Sequence, residues 1–378
     1  MTNSNVVTIE NKPKKLPKAD LWIVLIVSAL AIFGTIMVFS ASYYYAIEDY
    51  GSPYYYLKRH IVWIIGGFIC MAVCSMIDYH FWIKLWVPFY IVGLLLLIAV
   101  KIPGIGTETY GAVRWIYIGP ISLMPGEISK VPLLFALTGL YAKYKDNAKE
   151  FVKGIIPAAA LTGAYALLIM LQPNMSTAFT LIFMMLGIML IAGCRVWHLA
   201  LSTSLAGAAG LAFIFMDKTG YRYNRYLSFL DPFADRLGAG WNAVQSLLAI
   251  GSGGLLGKGI GNSVQKNLYL PMPQNDFILA VIGEELGFVG VFLLMVVYMI
   301  LLWRGSLVAL KAKDFTGLLL AGGIVTLIGV QTLIHFAVVT SSMPPTGITL
   351  PFISYGGNAT LIFMSLAGIL LNISKQSK

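Results

Sequence analysis

Charge is what this chain has least of. Only 11% of its 378 residues are Asp, Glu, Lys or Arg, against roughly a quarter in a soluble domain. A surface solvated by water all round cannot be built from that, so the solvent for most of the chain must be lipid. Cysteine is scarce as well: Cys70, Cys74 and Cys194 all fall inside apolar stretches. No disulfide is implied. Cys70 and Cys74 share a helix face, but no His or carboxylate set accompanies them, which argues against a metal site. A nucleotide P-loop is also missing. The glycine-rich stretch from Gly251 to Gly261 holds one lysine, Lys258, and Gly259 follows it where Ser or Thr would be required.

What the chain does have is long apolar runs. A helix rises about 1.5 Å per residue, so roughly 20 apolar residues cross the hydrocarbon core. Ten such runs occur, near residues 21–43, 61–77, 82–100, 128–144, 155–171, 177–194, 198–216, 277–303, 317–341 and 352–373. The expected fold class is all-α, a polytopic integral membrane protein with about ten transmembrane helices. Ser40-Ala41-Ser42 resembles a signal cleavage site, but the first apolar run is too long for a signal peptide, so it reads as a signal anchor. Residues 1–19 form a tail without a motif, and residues 20–376 form a single membrane domain.

Lysine and arginine set the orientation. Lys12, Lys14, Lys15 and Lys18 precede the first run; Lys143, Lys145, Lys149 and Lys153 follow the fourth. Arg195, then Arg304, Lys311 and Lys313, then Lys375 and Lys378 mark alternate connections after that. All of these share one side if the count is ten, which puts both termini in the cytoplasm. Residues 217–276 then form one long extracytoplasmic loop, rich in charge. Its glycines suit either a flexible connector or backbone that closely approaches a ligand. Residues 101–127 also face outward; they are too apolar for a surface loop and too broken for a helix. They are expected at the membrane interface, with Trp115 and Tyr117 at headgroup depth. For Trp115 the choice is between an interfacial anchor and a substrate contact.

Ionisable groups at membrane depth are costly and mark function by default. Glu127 and Lys130 stand at i, i+3 and can pair on one face. Glu284 and Glu285 are adjacent and so point to different faces; at least one is expected to meet a buried partner such as Arg114 or Lys130. Gln331 and His335 share a face and suit helix–helix hydrogen bonding. Asp276 stands where the long outer loop enters the eighth helix. An ionised, partly desolvated carboxylate there can be a general base or a helix N-cap, and position alone divides these evenly.

Several motifs together resemble the SEDS family, the shape, elongation, division and sporulation proteins. Pro344-Pro345-Thr346-Gly347-Ile348-Thr349-Leu350-Pro351-Phe352-Ile353-Ser354-Tyr355-Gly356-Gly357 carries the resemblance, as does Pro273-Gln274-Asn275-Asp276-Phe277-Ile278 running on to Gly283-Glu284-Glu285-Leu286-Gly287. Phe229-Leu230-Asp231-Pro232, Gln245-Ser246 with Gly253-Gly254, Ala112-Val113-Arg114-Trp115 and Ser40-Ala41-Ser42 add to it, in order along the chain from about residue 20. The wording of the Leu350 to Gly357 stretch is closer to the division and sporulation branch (FtsW, SpoVE) than to the elongation branch (RodA). There are departures. The family pattern has a Glu shortly before the catalytic aspartate and a Thr directly before it, where this chain has Pro273-Gln274-Asn275. The Gln-Pro-Asp pattern with a following Gly-Thr is here Gln172-Pro173-Asn174-Met175-Ser176-Thr177. These departures leave dependence on a divalent cation, Mg or Mn, open; no metal ligands are assigned.

The resemblance implies a peptidoglycan glycosyltransferase that polymerises lipid II outside the bacterial cytoplasmic membrane, at the division septum or in sporulation. Asp276 matches the catalytic aspartate. A diphosphate leaving group calls for fixed positive charge rather than an acid, with Arg114, Lys130, Arg222, Arg225 and Lys266 as candidates. Trp115, Glu127, Glu284, Glu285, Ser354, Gly356 and Gly357 complete the candidate substrate-binding set. The implied partners are a class B penicillin-binding protein, lipid II and membrane lipid, with no nucleic acid. The competing functions are a lipid II flippase or transporter, a non-catalytic scaffold recruiting a transpeptidase, and, within the family, a RodA-like elongation role. No internal repeat of the kind common in transporters is visible.

Overall fold

The computed structural model describes residues 19–109, 112–119, 121–215, 221–238, 240–345 and 347–377. Each of the ten apolar runs overlaps a helix. α1 (Leu21–Tyr50), α2 (Tyr55–Met76), α3 (Tyr79–Lys84) and α4 (Trp86–Ala99) come first. After the outer segment come α5 (Pro125–Ile128), α6 (Lys130–Lys143), α7 (Ile156–Met170), α8 (Met175–Ile191) and α9 (Val196–Phe215). α10 (Tyr221–Leu230), α11 (Trp241–Gly253), α12 (Ile278–Leu310), α13 (Phe315–Val339) and α14 (Gly357–Gln376) complete the chain. Among the described residues, six helical stretches are long and apolar enough to cross a membrane, and α4 and α8 are shorter apolar helices.

Lipid-facing and protein-facing sides can be told apart on α2. Ile61, Ile65, Ile69 and Val73, four residues apart, are exposed, while His60, Gly67, Met71 and Cys74 are buried. The buried stripe packs on α14, and small residues set the spacing: a Cβ on Gly67 would meet Met364 Cγ at 2.8 Å, and one on Gly368 would meet the Met71 carbonyl at 2.3 Å. Close backbone approach of this kind is how helices associate where lipid removes the hydrophobic drive. α13 is packed by α6, α8, α12 and α14.

Three expectations are corrected. The fold is not purely α: residues 101–127 contain a meander of β1 (Gly106–Thr109), β2 (Ala112–Ile118) and β3 (Ile121–Leu123), paired antiparallel in the order β1-β2-β3. Ala112-Val113-Arg114-Trp115-Ile116-Tyr117-Ile118 is rich in β-branched and aromatic residues, which suits a strand. The long connection over residues 217–276 is not a structureless loop either, since it holds α10 and α11. The glycine-rich stretch is held against the bundle rather than left as a flexible connector. It packs backbone to backbone on α12, which is broken at Gly287 (φ 67, ψ −168). The Lys258 and Gly259 amides donate to the carbonyls of Glu284 and Glu285 at 3.0 and 2.9 Å, and the Phe288 amide donates to the Gly254 carbonyl at 2.9 Å. A break that would leave backbone groups unpaired in an apolar setting is thus filled by the loop.

Candidate active site

One end of the bundle is tied by a polar network away from Asp276 and the Leu350 to Gly357 stretch. Arg304 donates to Asp20 at 2.6 Å, the Asp20 amide donates to Ser374 Oγ at 3.0 Å, and His80 bridges Asp78 and Asp314 at 2.7 Å each. At the opposite end is a cavity of about 660 Å³, where the starts of α2, α12 and α14 meet β2 and α5. Asp276, Arg114, Trp115, Glu127, Gly356 and Gly357 all line it.

Asp276 is delivered by the segment before α12, whose N-cap position is Phe277 and which has no side-chain cap bond. The carboxylate stands against Gly347, where an added Cβ would lie 3.1 Å from Oδ2, so glycine leaves the acid room on that side. Ser354 fastens the neighbourhood: its Oγ donates to the Asn275 carbonyl at 2.7 Å and accepts from the Leu350 amide at 2.8 Å. The Tyr355 amide donates to the Gln274 carbonyl at 2.9 Å. Ser354 is buried, so it holds two loops together rather than facing the cavity. Gly357 admits Trp63, a cavity-lining side chain that a Cβ there would meet at 2.4 Å.

Arg114 projects from β2. Its Nε donates to the Gln172 carbonyl at 3.0 Å, and its Nη2 donates to the Pro173 carbonyl. Gln172 in turn donates to the Leu97 carbonyl at 3.0 Å, and Asn174 Oδ1 accepts from Thr177 Oγ1 at 3.0 Å at the start of α8. The Gln-Pro-Asn turn therefore works as the backrest of Arg114. Trp115 lines the cavity.

Glu127 and Lys130 pair as expected. Lys130 Nζ donates to both Glu127 oxygens at 2.7 Å and to Gln331 Oε1 at 2.6 Å. Gln331 Nε2 passes the chain on to the Thr349 carbonyl at 2.9 Å, and His335 Nδ1 bonds the Ile348 carbonyl at 2.8 Å. Lys130 has no exposed surface. It underpins the cavity wall through Glu127 and Gln331 and does not itself line the cavity.

Lys266, Glu284 and Glu285 lie outside the cavity. Glu284 accepts from Lys258 at 2.7 Å, from Ser263 Oγ at 2.5 Å and from the Val264 and Gln265 amides at 3.1 Å. Glu285 accepts from Lys266 at 2.8 Å and from Ser40 Oγ at 2.6 Å. Their partners are Lys258, Lys266 and Ser40 rather than Arg114 or Lys130. The physical reason is the break at Gly287, which lets the loop drop its own cations and amides onto the two carboxylates. The side chains of Arg222 and Arg225 lie outside the described residues. Among the described residues, no group of three or more His, Cys, Asp or Glu could hold a metal ion.

Lys58 and Arg59 were missed by sequence reasoning. Both line the cavity from the first turns of α2. The signal existed: in the expected topology these two adjacent cations fall on an outward connection, against the usual bias. Asn275, Thr349, Tyr355 and Asn358 complete the polar lining, with Asn358 Nδ2 donating to the Ser122 carbonyl at 2.9 Å.

Lipid-facing helices around a polar cavity that joins a carboxylate to Lys58, Arg59 and Arg114 define a polytopic membrane protein with an anion-suited site at one end. Comparison with known proteins makes the assignment specific. The family model FTSW_RODA_SPOVE, described as Cell cycle protein, matches residues 20–378, and the chain belongs to that family. It is 37% identical over 365 residues to Stage V sporulation protein E of Bacillus subtilis (strain 168), covering 96% of this chain and 99% of the relative. It is 36% identical over 359 residues to an FtsW of Geobacter sp. (strain M18) named as a probable peptidoglycan glycosyltransferase, covering 95% and 97%. Among solved structures, a chain of a peptidoglycan synthase complex that coordinates polymerization and crosslinking superposes with TM-score 0.78 at 26% identity, covering 95% and 98%. The Thermus thermophilus rod shape determining protein RodA superposes with TM-score 0.67 at 27% identity, covering 94% and 96%. Its FtsW and SpoVE relatives are thus nearer in sequence than this RodA.

Proposed function

We propose that the chain is a peptidoglycan glycosyltransferase that polymerises lipid II, with Asp276 as the general base. The observation that carries this is a carboxylate sharing one cavity with Lys58, Arg59 and Arg114. In the reaction, the 4-hydroxyl of an acceptor GlcNAc attacks the anomeric carbon of a donor MurNAc. Its proton passes to Asp276, the bond to the diphosphate oxygen breaks, and the configuration inverts in a single displacement. The diphosphate leaves as a stable anion and needs no proton. Fixed cations opposite the departing oxygens lower the barrier because they are already oriented. Arg114, braced by the Gln172 and Pro173 carbonyls, is the preorganised member, and Arg suits bidentate grip on a phosphate.

The proposed setting is the bacterial cytoplasmic membrane, crossed ten times by residues 20–376 as one domain. Both termini are cytoplasmic and the cavity opens outward, at the septum or in sporulation, beside a class B penicillin-binding protein. The alternation of Lys- and Arg-rich connections supports this topology, and so does the location of Asp276, Lys58 and Asn358 at the end opposite Asp20 and Arg304.

Purified wild type, Asp276→Ala and Asp276→Asn should be compared on purified lipid II, with and without the cognate transpeptidase. The expected result is glycan strands from wild type and a loss of about 10²–10⁴ in rate from the folded variants. Equal activity in all three removes Asp276 as base. No strands from wild type with the partner present moves the assignment to a flippase or scaffold.

A further inference from the structure

A polymerase faces a problem of space. A cavity of about 660 Å³ matches a small-ligand site and cannot contain a polymer. Sugars beyond the reacting unit must lie outside it, on whatever surface adjoins the cavity mouth.

That surface is aromatic on the side of α1 and α2. Arg59 lines the cavity together with Tyr355. Its guanidinium also lies over the Tyr55 ring at 4.6 Å. The Tyr50 ring stacks on Tyr55 with centroids 3.5 Å apart and planes 8° apart. Tyr56 meets Tyr50 edge-on at 5.8 Å and Tyr355 edge-on at 5.2 Å. A continuous ladder thus runs outward from the cavity wall and ends on Tyr50, which is 50% exposed.

The usual explanation for such tyrosines is the interfacial belt, and α1 argues against it here. Its 30 residues make about 45 Å of helix, against about 30 Å of hydrocarbon. The polar boundary at the Asp20 end is fixed by Arg304, so the surplus projects at the Tyr50 end. Glu48 and Asp49 on one side and Lys58 and Arg59 on the other enclose the tyrosines in charge, which places them in water beyond the hydrocarbon. Parallel stacking also differs from a belt, in which rings stand singly.

We propose that the Tyr50–Tyr55 ladder is a saccharide subsite that holds the growing glycan strand just outside the cavity, the half-exposed Tyr50 ring packing on the C–H face of a sugar ring. This rests on the polymerase assignment above. The role follows from kinetics. Mean strand length is the ratio of the elongation rate to the release rate, so a contact with sugars already added lengthens strands by slowing release. Loss of one ring contact is worth about two- to tenfold in release.

The test uses the full chain with its cognate transpeptidase, penicillin-inactivated, on labelled lipid II. Strand lengths are compared at equal lipid II consumed for wild type, Tyr50→Leu and Tyr50→Trp, each checked for an unchanged thermal midpoint. Tyr50→Leu keeps apolar volume but no ring and is expected to shorten mean length about two- to tenfold, while Tyr50→Trp restores it. Wild-type lengths from Tyr50→Leu overturn the subsite while leaving the polymerase intact. Shortening that Tyr50→Trp fails to restore also overturns it, because then the ring face is not what matters. A wild type that makes no strands removes the polymerase assignment and this inference with it.

Discussion

Replacing Lys130 with Met tests whether the hydrogen-bonded chain beneath the cavity holds the fold as well as the site. Lys130 is fully buried and makes three bonds of 2.6–2.7 Å, two to Glu127 and one to Gln331. Met has similar length without the charge, so packing is largely kept and the loss is electrostatic. Removing one partner of a buried pair strands the other, at a cost of about 3–5 kcal/mol, where a surface pair would cost about 0–1 kcal/mol. In the double variant Glu127→Leu, Lys130→Met both charges go, and replacement of a buried pair by apolar groups is often neutral or better. A double-mutant cycle should therefore show coupling of about 3 kcal/mol. The assay is thermal unfolding in detergent: the single variant should melt roughly 6–20 °C below wild type, and the double variant should recover most of that. Polymerisation by the double variant should stay low, because the cavity wall has lost its Glu127 carboxylate. A fall of under about 2 °C for the single variant, or a double variant no more stable than the worse single, refutes the coupling.

Other positions give sharp outcomes. Gly347→Ala puts a Cβ 3.1 Å from Asp276 Oδ2, so the carboxylate must shift by a few tenths of an ångström. Since about 1 Å of misplacement costs about 10²-fold, kcat should fall roughly three- to tenfold with the thermal midpoint unchanged, and an unchanged kcat would show that Asp276 tolerates displacement. Gly287→Ala forces a side chain into φ 67, ψ −168 with its Cβ 2.4 Å from the Gly257 amide nitrogen; the expected loss is about 3 kcal/mol or more, read as a lower melting midpoint. For His80, burial pulls the pKa down, but the hydrogen bonds to Asp78 and Asp314 outweigh it and leave it raised. Its stabilising contribution is therefore complete below the ordinary histidine value near 6.5 and fades as pH rises through the higher folded value. The site is half exposed, so the effect is under about 1 kcal/mol. Wild type should lose slightly more stability than His80→Gln between pH 6 and 8, and identical pH profiles would remove the bridge as a contributor.

The helices were legible because lipid is an undemanding reader: any run of about 20 apolar residues must be helical to satisfy its backbone. Asp276 was legible as a carboxylate at a helix entrance, and Glu127–Lys130 as an i, i+3 pair. The β meander was not, because Ala112–Ile118 is apolar enough to pass for an interfacial segment and its pairing with Ile121–Leu123 is set by turn geometry. Lys58 and Arg59 were hidden by the orientation argument itself, which weighs cations on the connections expected inside and passes over two on one expected outside.

Glu284, Glu285 and Lys266 show where the default that buried charge marks function needs a further step. That default does not separate a charge that faces a cavity from one that holds a loop in place. The difference lies in partners 19–26 residues away, Lys266 for Glu285 and Lys258 for Glu284, brought close only by the break at Gly287. Yet the two kinds are connected. The carboxylates pin residues 258–266 onto the first turns of α12, and the chain between Lys266 and α12 is short and contains Asp276. Fixing both ends of that segment, with Ser354 holding Asn275 from the side, restricts where the Asp276 carboxylate can point. The proposed base needs such restraint, since a misplaced base loses rate steeply. The ion pairs thus serve the site without facing the cavity.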